Sequence, residues 1–184
     1  MAKPDASMTT VLQAPAKGEG RPGYKHTKLG WIPEEWGIER VRHLGSIVTG
    51  STPSTSNREY YGSEFMFIGP GDLGGKYTTH AEKGLSELGW SEVRQLPKGA
   101  VLCTCIGSTI GKMSLASEAL STNQQINAVV ANEKNEAEFV YYALNRIAPR
   151  MRQLAGEQAV PMMNKTDFGQ LEIIHPPLPE QRRI

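Results

Sequence analysis

The residues able to do chemistry in this chain collect in polar loops, not around a nucleophile. Ser51-Thr52-Pro53-Ser54-Thr55-Ser56-Asn57-Arg58 offers hydroxyls and one arginine. Such donors suit the grip of a phosphate, and the same composition equally suits a plain solvent loop. The stretch 74–83 is glycine-punctuated and holds Lys76, Tyr77, Thr79, His80 and Lys83. Between two apolar runs, Gly107-Ser108-Thr109-Ile110-Gly111-Lys112 is built of small residues, so its backbone can come close to a polyanion, with one lysine to hand. A corner, Ser121-Thr122-Asn123-Gln124-Gln125, adds three amides, which can read base edges or tie down turn backbone. The chemistry on offer is hydrogen bonding and charge neutralisation. Bond-making has no candidates: the chain shows no paired carboxylates in a cleft motif, no nucleophile–histidine–acid set with telling spacing and no metal-ligand cluster.

One motif points elsewhere. Gly69-Pro70-Gly71-Asp72-Leu73-Gly74 is a formal G-x-G-x-x-G that follows an apolar run. What comes next, Gly75-Lys76-Tyr77-Thr78-Thr79-His80, is not an amphipathic helix, so no helix N-terminus is available for a pyrophosphate. A phosphate loop of the magnesium-binding type fails as well, because Tyr77 stands where a serine or threonine is needed. Cys103 and Cys105 are one residue apart and share a face of any strand, which reads as two reduced core thiols.

These loops need a scaffold. Ala100 to Ile106, a second β-type run after Lys112, and Ile126 to Val130 are short apolar runs bounded by Gly, Asn and Ser, the mark of strands. Phe65 to Ile68 is a further buried strand, and Glu39 to Arg42 a short one. One or two helical turns are expected over His43 to Thr49, and a short helix over Leu85 to Leu96. The clearest helix runs from Glu136 to Leu154, with Phe139, Ala143, Ile147 and Met151 at i, i+4 spacing. Pro149 should kink or restart it. Arg146, Arg150 and Arg152 gather in its C-terminal half, where the helix dipole favours them and DNA contact is a second reading. Asn164 to Phe168 can open a short helix, Leu171 to Ile174 a strand, and Pro179-Glu180-Gln181 a last helix with proline in its first turn. The fold class expected is α+β: a mixed, β-rich domain with one long packed helix near 136–154.

Composition sets wider bounds. The 184 residues are 39% hydrophobic and 21% charged, ordinary for one globular domain, and the net charge is only +1. Residues 61–140 hold nine acids and six bases, whereas 141–184 hold six bases and four acids, a mild basic bias at one end. Apolar stretches fall far short of the ~20 residues of a membrane span, and no apolar signal region opens the chain, so cytoplasmic residence is expected. Residues 1–28 lack periodicity and read as a disordered leader. Trp31 and Trp36, with Pro33 between them, read as a lid on the core.

Taken in order, these landmarks resemble a known family. Gly30-Trp31-Ile32-Pro33 with Trp36, Gly50-Ser51-Thr52-Pro53, Tyr60-Tyr61-Gly62, Gly71-Asp72-Leu73, Gly99-Ala100-Val101-Leu102, Gly107-Ser108-Thr109-Ile110-Gly111, Thr122-Asn123-Gln124-Gln125-Ile126 and Pro176-Pro177-Leu178-Pro179-Glu180-Gln181 form a series. That series is similar to a target recognition domain of the type I restriction–modification specificity subunit. Each match alone is weak, and the ordered series is not.

The resemblance implies a sequence-specific DNA-binding module without catalysis or cofactor of its own. S-adenosylmethionine would be bound by partner modification (methyltransferase) subunits. A restriction subunit joins them, and double-stranded DNA is the ligand. It implies three parts: the leader 1–28, a recognition domain over 29–178 reading half of a bipartite target, and the start of a spacer helix at 179–184. The rest of the spacer and the second recognition domain are lacking, so a half-subunit or a fragment is expected, able to pair with its own copy. The residues expected at DNA are Thr52, Ser54, Thr55, Arg58, Lys76, Tyr77, Thr79, His80, Ser108, Thr109 and Lys112. Those expected at protein partners are Trp31, Trp36, Pro179, Glu180 and Gln181. An alternative is a regulatory half-subunit that acts mainly by docking on the methyltransferase or on itself.

Overall fold

Alternation along one strand sorts the core into two layers. From Ala100 onward the chain points Val101, Cys103 and Cys105 to one side and Ala100 and Leu102 to the other, all of them buried. A strand apolar on both faces must be covered on both, and the computed structural model, which describes residues 20–156 and 160–184, shows what covers it.

The chain opens with a hairpin of β1 (Tyr24–Thr27) and β2 (Gly30–Pro33), then β3 (Gly37–Arg40), one helical turn α1 (Val41–Leu44) and β4 (Gly45–Thr49). Next come β5 (Tyr61–Ile68), β6 (Tyr77–Thr78), β7 (Lys83–Leu85), α2 (Glu87–Ser91) and β8 (Gln95–Leu96). The central strands are β9 (Val101–Thr104), β10 (Met113–Ala116), β11 (Leu120–Thr122) and β12 (Ile126–Ala131). The long helix α3 (Ala137–Leu154) follows, then α4 (Lys165–Gln170), β13 (Glu172–His175) and α5 (Leu178–Gln181).

Five strands form one mixed sheet in the order β4-β12-β9-β10-β6, and four form a second in the order β7-β5-β11-β8. Helix α3 covers one face of the larger sheet, where Phe139, Val140, Leu144 and Met151 meet Val101, Cys103, Met113, Leu115 and Val129. The smaller sheet covers the other face, where Ile68, Leu73, Leu96 and Leu120 meet Leu102, Ile126 and Ala128. Each fully buried leucine or phenylalanine contributes about 1.5–3 kcal/mol to holding these layers together. Strands β13 and β3 pair at one side, and the segment after β13 returns to the start of α3. The fold is the expected mixed α+β one, with the long helix where its spacing put it.

Several local expectations differ. His43 to Thr49 is mostly strand: the helical turn ends at Leu44, and β4 pairs with β12 from Gly45↔Ala131 to Thr49↔Asn127. Arg40 closes β3, while Val41 and Arg42 belong to the helical turn. Ser121 and Thr122, read as part of a polar corner, are the end of β11 and fully buried, because β11 pairs with both β5 and β8. Between Leu85 and Leu96 only Glu87–Ser91 is helical, capped by Ser86 whose side chain accepts from the Gly89 amide. Helix α3 runs through Pro149 without a break, held to the sheet by Ala148 and Met151 on either side of it. Order also starts before Leu29. Strand β1 falls within the stretch read as leader, where Tyr24 pairs with Pro33 and His26 packs edge-on against Trp31. The remainder of that leader, residues 1–19, lies outside the described residues.

Candidate nucleic-acid interface

Register decides which loops share an edge. Thr49 lies opposite Asn127, Ile126 opposite Thr104, and Met113 opposite Cys103. Thr122 lies beside Ile68 in a parallel pair. The loops after β4, β5 and β9 and those before β10 and β12 therefore leave the sheets at one common edge.

Backbone bonds weld these exits into a shelf. Ser51 N donates to Thr122 O at 2.9 Å, Asn123 N to Ile68 O at 3.0 Å, Gly50 N to Ile126 O at 3.0 Å, and Cys105 N to Gln125 O at 2.8 Å. Residues 161–163 extend the row beyond β9, as Gly107 N donates to Pro161 O and Met163 N to Cys105 O, both at 2.8 Å. Gly50 has to be glycine, since a Cβ there would sit 2.1 Å from the Asn123 carbonyl oxygen. In the 107–112 tip, Gly107 N accepts no role as donor to phosphate because it is already bonded, and the turn closes with Ile110 N to Gly107 O at 3.2 Å. Gly111 holds φ +84° against Ala148 of α3, a backbone region and a closeness that other residues do not tolerate.

The expected DNA residues divide over this frame. Thr52, Ser108, Thr109 and Lys112 lie on the shelf, with Thr52, Ser108 and Lys112 exposed. Ser54 and Thr55 follow the loop away from Gly50. Arg58 opens a 3-10 turn beside Tyr61, the end of β5 opposite Ile68. Lys76 and Tyr77 enter the sheet beside β10 and turn toward α3. There the Lys76 ammonium donates to Glu138 Oε2 at 2.7 Å and lies 5.1 Å from the centre of the Tyr142 ring, and the Tyr77 hydroxyl donates to Glu138 Oε1. Hydrogen bonding to the Glu138 carboxylate and to the Tyr142 phenol pushes the Lys76 pKa above the usual lysine range, and the Lys76 ammonium in turn holds Glu138 below the usual carboxylate range. The Glu138 carboxylate also pushes the Tyr77 phenol up. Thr79 and His80 are exposed and come after Thr78, which is registered with Ala116 at the far end of β10 from the shelf. The shelf thus gathers two of the three expected loops, and the third is anchored to α3.

Two further cations stand on the shelf, Arg94, which was not expected there, and Arg152, for which DNA contact was the second reading. Arg94 is exposed, and its Nη1 donates to Thr49 O at 2.9 Å and to Gly50 O at 3.3 Å. Its sequence position, in a stretch read as helix, gave no signal of this. Arg152 reaches from the last turn of α3 and donates through Nε to Ile110 O at 2.9 Å. Neither these two nor Lys112 has a carboxylate partner among the described residues.

The G-x-G-x-x-G segment is filled by its own side chain. Asp72 accepts from Gly69 N at 2.8 Å and from Glu82 N at 2.9 Å, so its carboxylate sits where a phosphate would have to. Cys103 and Cys105 are both buried on the α3 side of the sheet, as expected of core thiols.

The expected partner residues meet on a different face. Trp31 and Trp36 line a groove of about 960 Å³ together with Tyr142, Arg146, Arg150 and Ile184. Trp36 Nε1 donates to Glu180 Oε2 at 2.6 Å, which ties α5 to the rim, and Pro179 is exposed beside it. Gln181 differs from expectation. It is 2% exposed, its Oε1 accepts from Glu136 N at 3.0 Å, and its Nε2 donates to Pro176 O at 3.0 Å. A buried amide spent within the chain has nothing left to offer a partner.

Known proteins with this pattern can now be set beside it. The type I restriction modification DNA specificity domain matches residues 33–184. The specificity subunit of the type I restriction enzyme MjaIX of Methanocaldococcus jannaschii is 29% identical over 168 residues, covering 88% of this chain and 39% of that protein. The specificity subunit of the type I restriction enzyme HindI of Haemophilus influenzae is 32% identical over 151 residues, covering 79% of this chain and 33% of that protein. This chain therefore spans well under half the length of the curated relatives it matches. Among solved structures, the HsdS subunit from Thermoanaerobacter tengcongensis superposes with a TM-score of 0.66 at 22% identity, over 88% of this chain and 38% of that one. A chain of a type I R-M complex superposes with a TM-score of 0.65 at 20% identity, over 92% and 38%. Those two likenesses concern the fold. The family match spans most of the chain, and the protein belongs to the type I restriction modification DNA specificity domain family.

Proposed function

We propose that this chain is a DNA target recognition domain that reads one half of a bipartite site and leaves bond-making to partner methyltransferase and restriction subunits. The observation that carries it is the shared edge, where loops from β4, β5, β9 and β12 form one bonded shelf bearing Thr52, Gln124, Ser108 and Lys112. Arg94, Lys112 and Arg152 would meet phosphates, which supplies the sequence-independent part of affinity. Exposed amides and hydroxyls between them would meet base edges in the major groove, where each base pair shows a distinct pattern. The extension of this role to Ser54, Thr55, Arg58, Thr79 and His80 requires a duplex that wraps beyond the shelf.

The test is selection from a randomised duplex library by the full chain, followed by binding at rising salt. An enriched motif and an association constant that falls linearly with salt on logarithmic axes support the reading. Binding that ignores both sequence and salt refutes it.

A second reading, docking on a methyltransferase subunit, draws on the groove at Trp31 and Trp36. Its apolar walls and its two arginines, Arg146 and Arg150, fit an amphipathic segment with acidic residues. Mixing the chain with a modification subunit in the absence of DNA separates the two. Tight association abolished by Trp31→Ala or Arg146→Glu would establish this surface.

A further inference from the structure

We propose that Gln124 is a base-reading residue and that Thr52 sets which way its amide faces. This rests on the shelf being a DNA surface. Of the three residues with amide side chains at the corner, two are half-buried and bonded to each other. Asn123 Oδ1 accepts from Gln125 N at 3.0 Å, and Asn123 Nδ2 donates to Gln125 Oε1 at 3.1 Å. Gln124 is exposed, and its one side-chain bond among the described residues comes from Thr52, whose Oγ1 donates to Gln124 Oε1 at 2.6 Å. An amide oxygen can only accept, so in this arrangement the one proton of the Thr52 hydroxyl is spent on Gln124. In this arrangement the amide oxygen faces the 51–58 loop, and the two N–H donors of Nε2 are left outward.

Position supports a base over a phosphate. Strand β12 lies between β4 and β9, so the corner that feeds it sits in the middle of the row. Arg94 flanks it on the β4 side, and Lys112 and Arg152 flank it at the tip between β9 and β10. Phosphates gripped at both flanks leave the groove floor over the neutral amide. Outward donors pair with acceptors, namely guanine O6 and N7, adenine N7 or thymine O4, and not with the amine of cytosine.

The full chain and a randomised duplex library test this, with affinities then measured on single-base-pair variants of the enriched motif. Gln124→Ala should reduce discrimination at one base pair by about tenfold and leave the salt dependence unchanged. Thr52→Val, which keeps the shape and removes the proton, should relax the same base pair. Gln124→Glu should move the preference there toward a donor-bearing base. The double variant should discriminate no worse than Gln124→Ala alone, because the two side chains act as one unit. Both residues are exposed, so thermal unfolding of each variant should match the parent and confirm an intact fold.

If the parent enriches a motif and Gln124→Ala leaves it unchanged, the assignment is overturned while DNA reading stands. Uniform weakening on every duplex would make Gln124 a backbone contact and overturn it equally. If the parent itself enriches no motif, the underlying reading falls and takes this proposal with it.

Discussion

Replacing Gln181 by methionine keeps the length of the side chain and removes its hydrogen bonds, which isolates what the buried amide does. In the native chain its Oε1 accepts from Glu136 N just before α3, its Nε2 donates to Pro176 O at the exit of β13, and His175 Nε2 lies 3.2 Å from that same nitrogen. One proton on His175 Nε2 satisfies Asn135 Oδ1 at 2.7 Å, so the donor of Gln181 goes to Pro176. Gln181→Met leaves one backbone donor and one backbone acceptor without partners, at a cost of about 1–3 kcal/mol each before relaxation admits water. A net loss of about 2–3 kcal/mol is expected, and about 3–4 kcal/mol for Gln181→Ala, which adds a cavity. Urea unfolding followed by fluorescence of the tryptophans reads this as a lower midpoint with an unchanged slope. The opposite assignment, Gln181 as a partner contact, predicts normal stability and lost association. A Gln181→Met midpoint equal to that of the parent would refute the internal role.

Four further outcomes follow from the same structure. Lys112→Ala should weaken binding to all duplexes alike and reduce the salt slope by about 0.9, one phosphate's worth, read by binding titrations at several salt concentrations. Lys76→Ala should change that slope less, because its ammonium is already neutralised by Glu138, whereas Glu138→Gln should steepen it by freeing the lysine. Leu144→Ala, at a fully buried site between α3 and the sheet, should cost about 2–5 kcal/mol in the same urea assay. Burial lowers the His175 pKa below 6.5, only partly offset by Glu39, so the unfolded chain binds the proton more readily than the folded one. Stability contributed by neutral His175 should therefore be complete above pH 6.5 and decline as pH falls toward the depressed folded value, and His175→Gln should flatten that decline.

The periodic parts of the fold were legible because burial writes them into the sequence. The short apolar run from Ala100 to Ile106 named a strand, and the i, i+4 series from Phe139 to Met151 named a helix, which the structure packs on one face of that strand's sheet. Short elements decided by pairing were not. Gly45 to Thr49 has no strong period, and only β12 across from it makes it a strand. Ser121 and Thr122 are polar yet buried, because two neighbouring strands take their backbone.

The site was legible by type and not by arrangement. Composition marked the loops at 51–58 and 107–112, but which of them share an edge follows from strand register. For that reason Arg94 went unmarked, Arg152 was marked only through a second reading of three arginines, Lys76 and Tyr77 turned out to be held by Glu138, and Gln181 moved from surface to interior. Among the described residues no helix is long and apolar enough to cross a membrane.

Titration of an enriched duplex into isotopically labelled chain, with backbone amide signals followed by NMR, tests the shelf most directly. Perturbations are predicted at Gly50–Thr52, Arg94, Cys105–Lys112 and Asn123–Gln125, with the Trp31 and Trp36 face silent. Shifts confined to that tryptophan face, with the four shelf segments unmoved, would contradict the account.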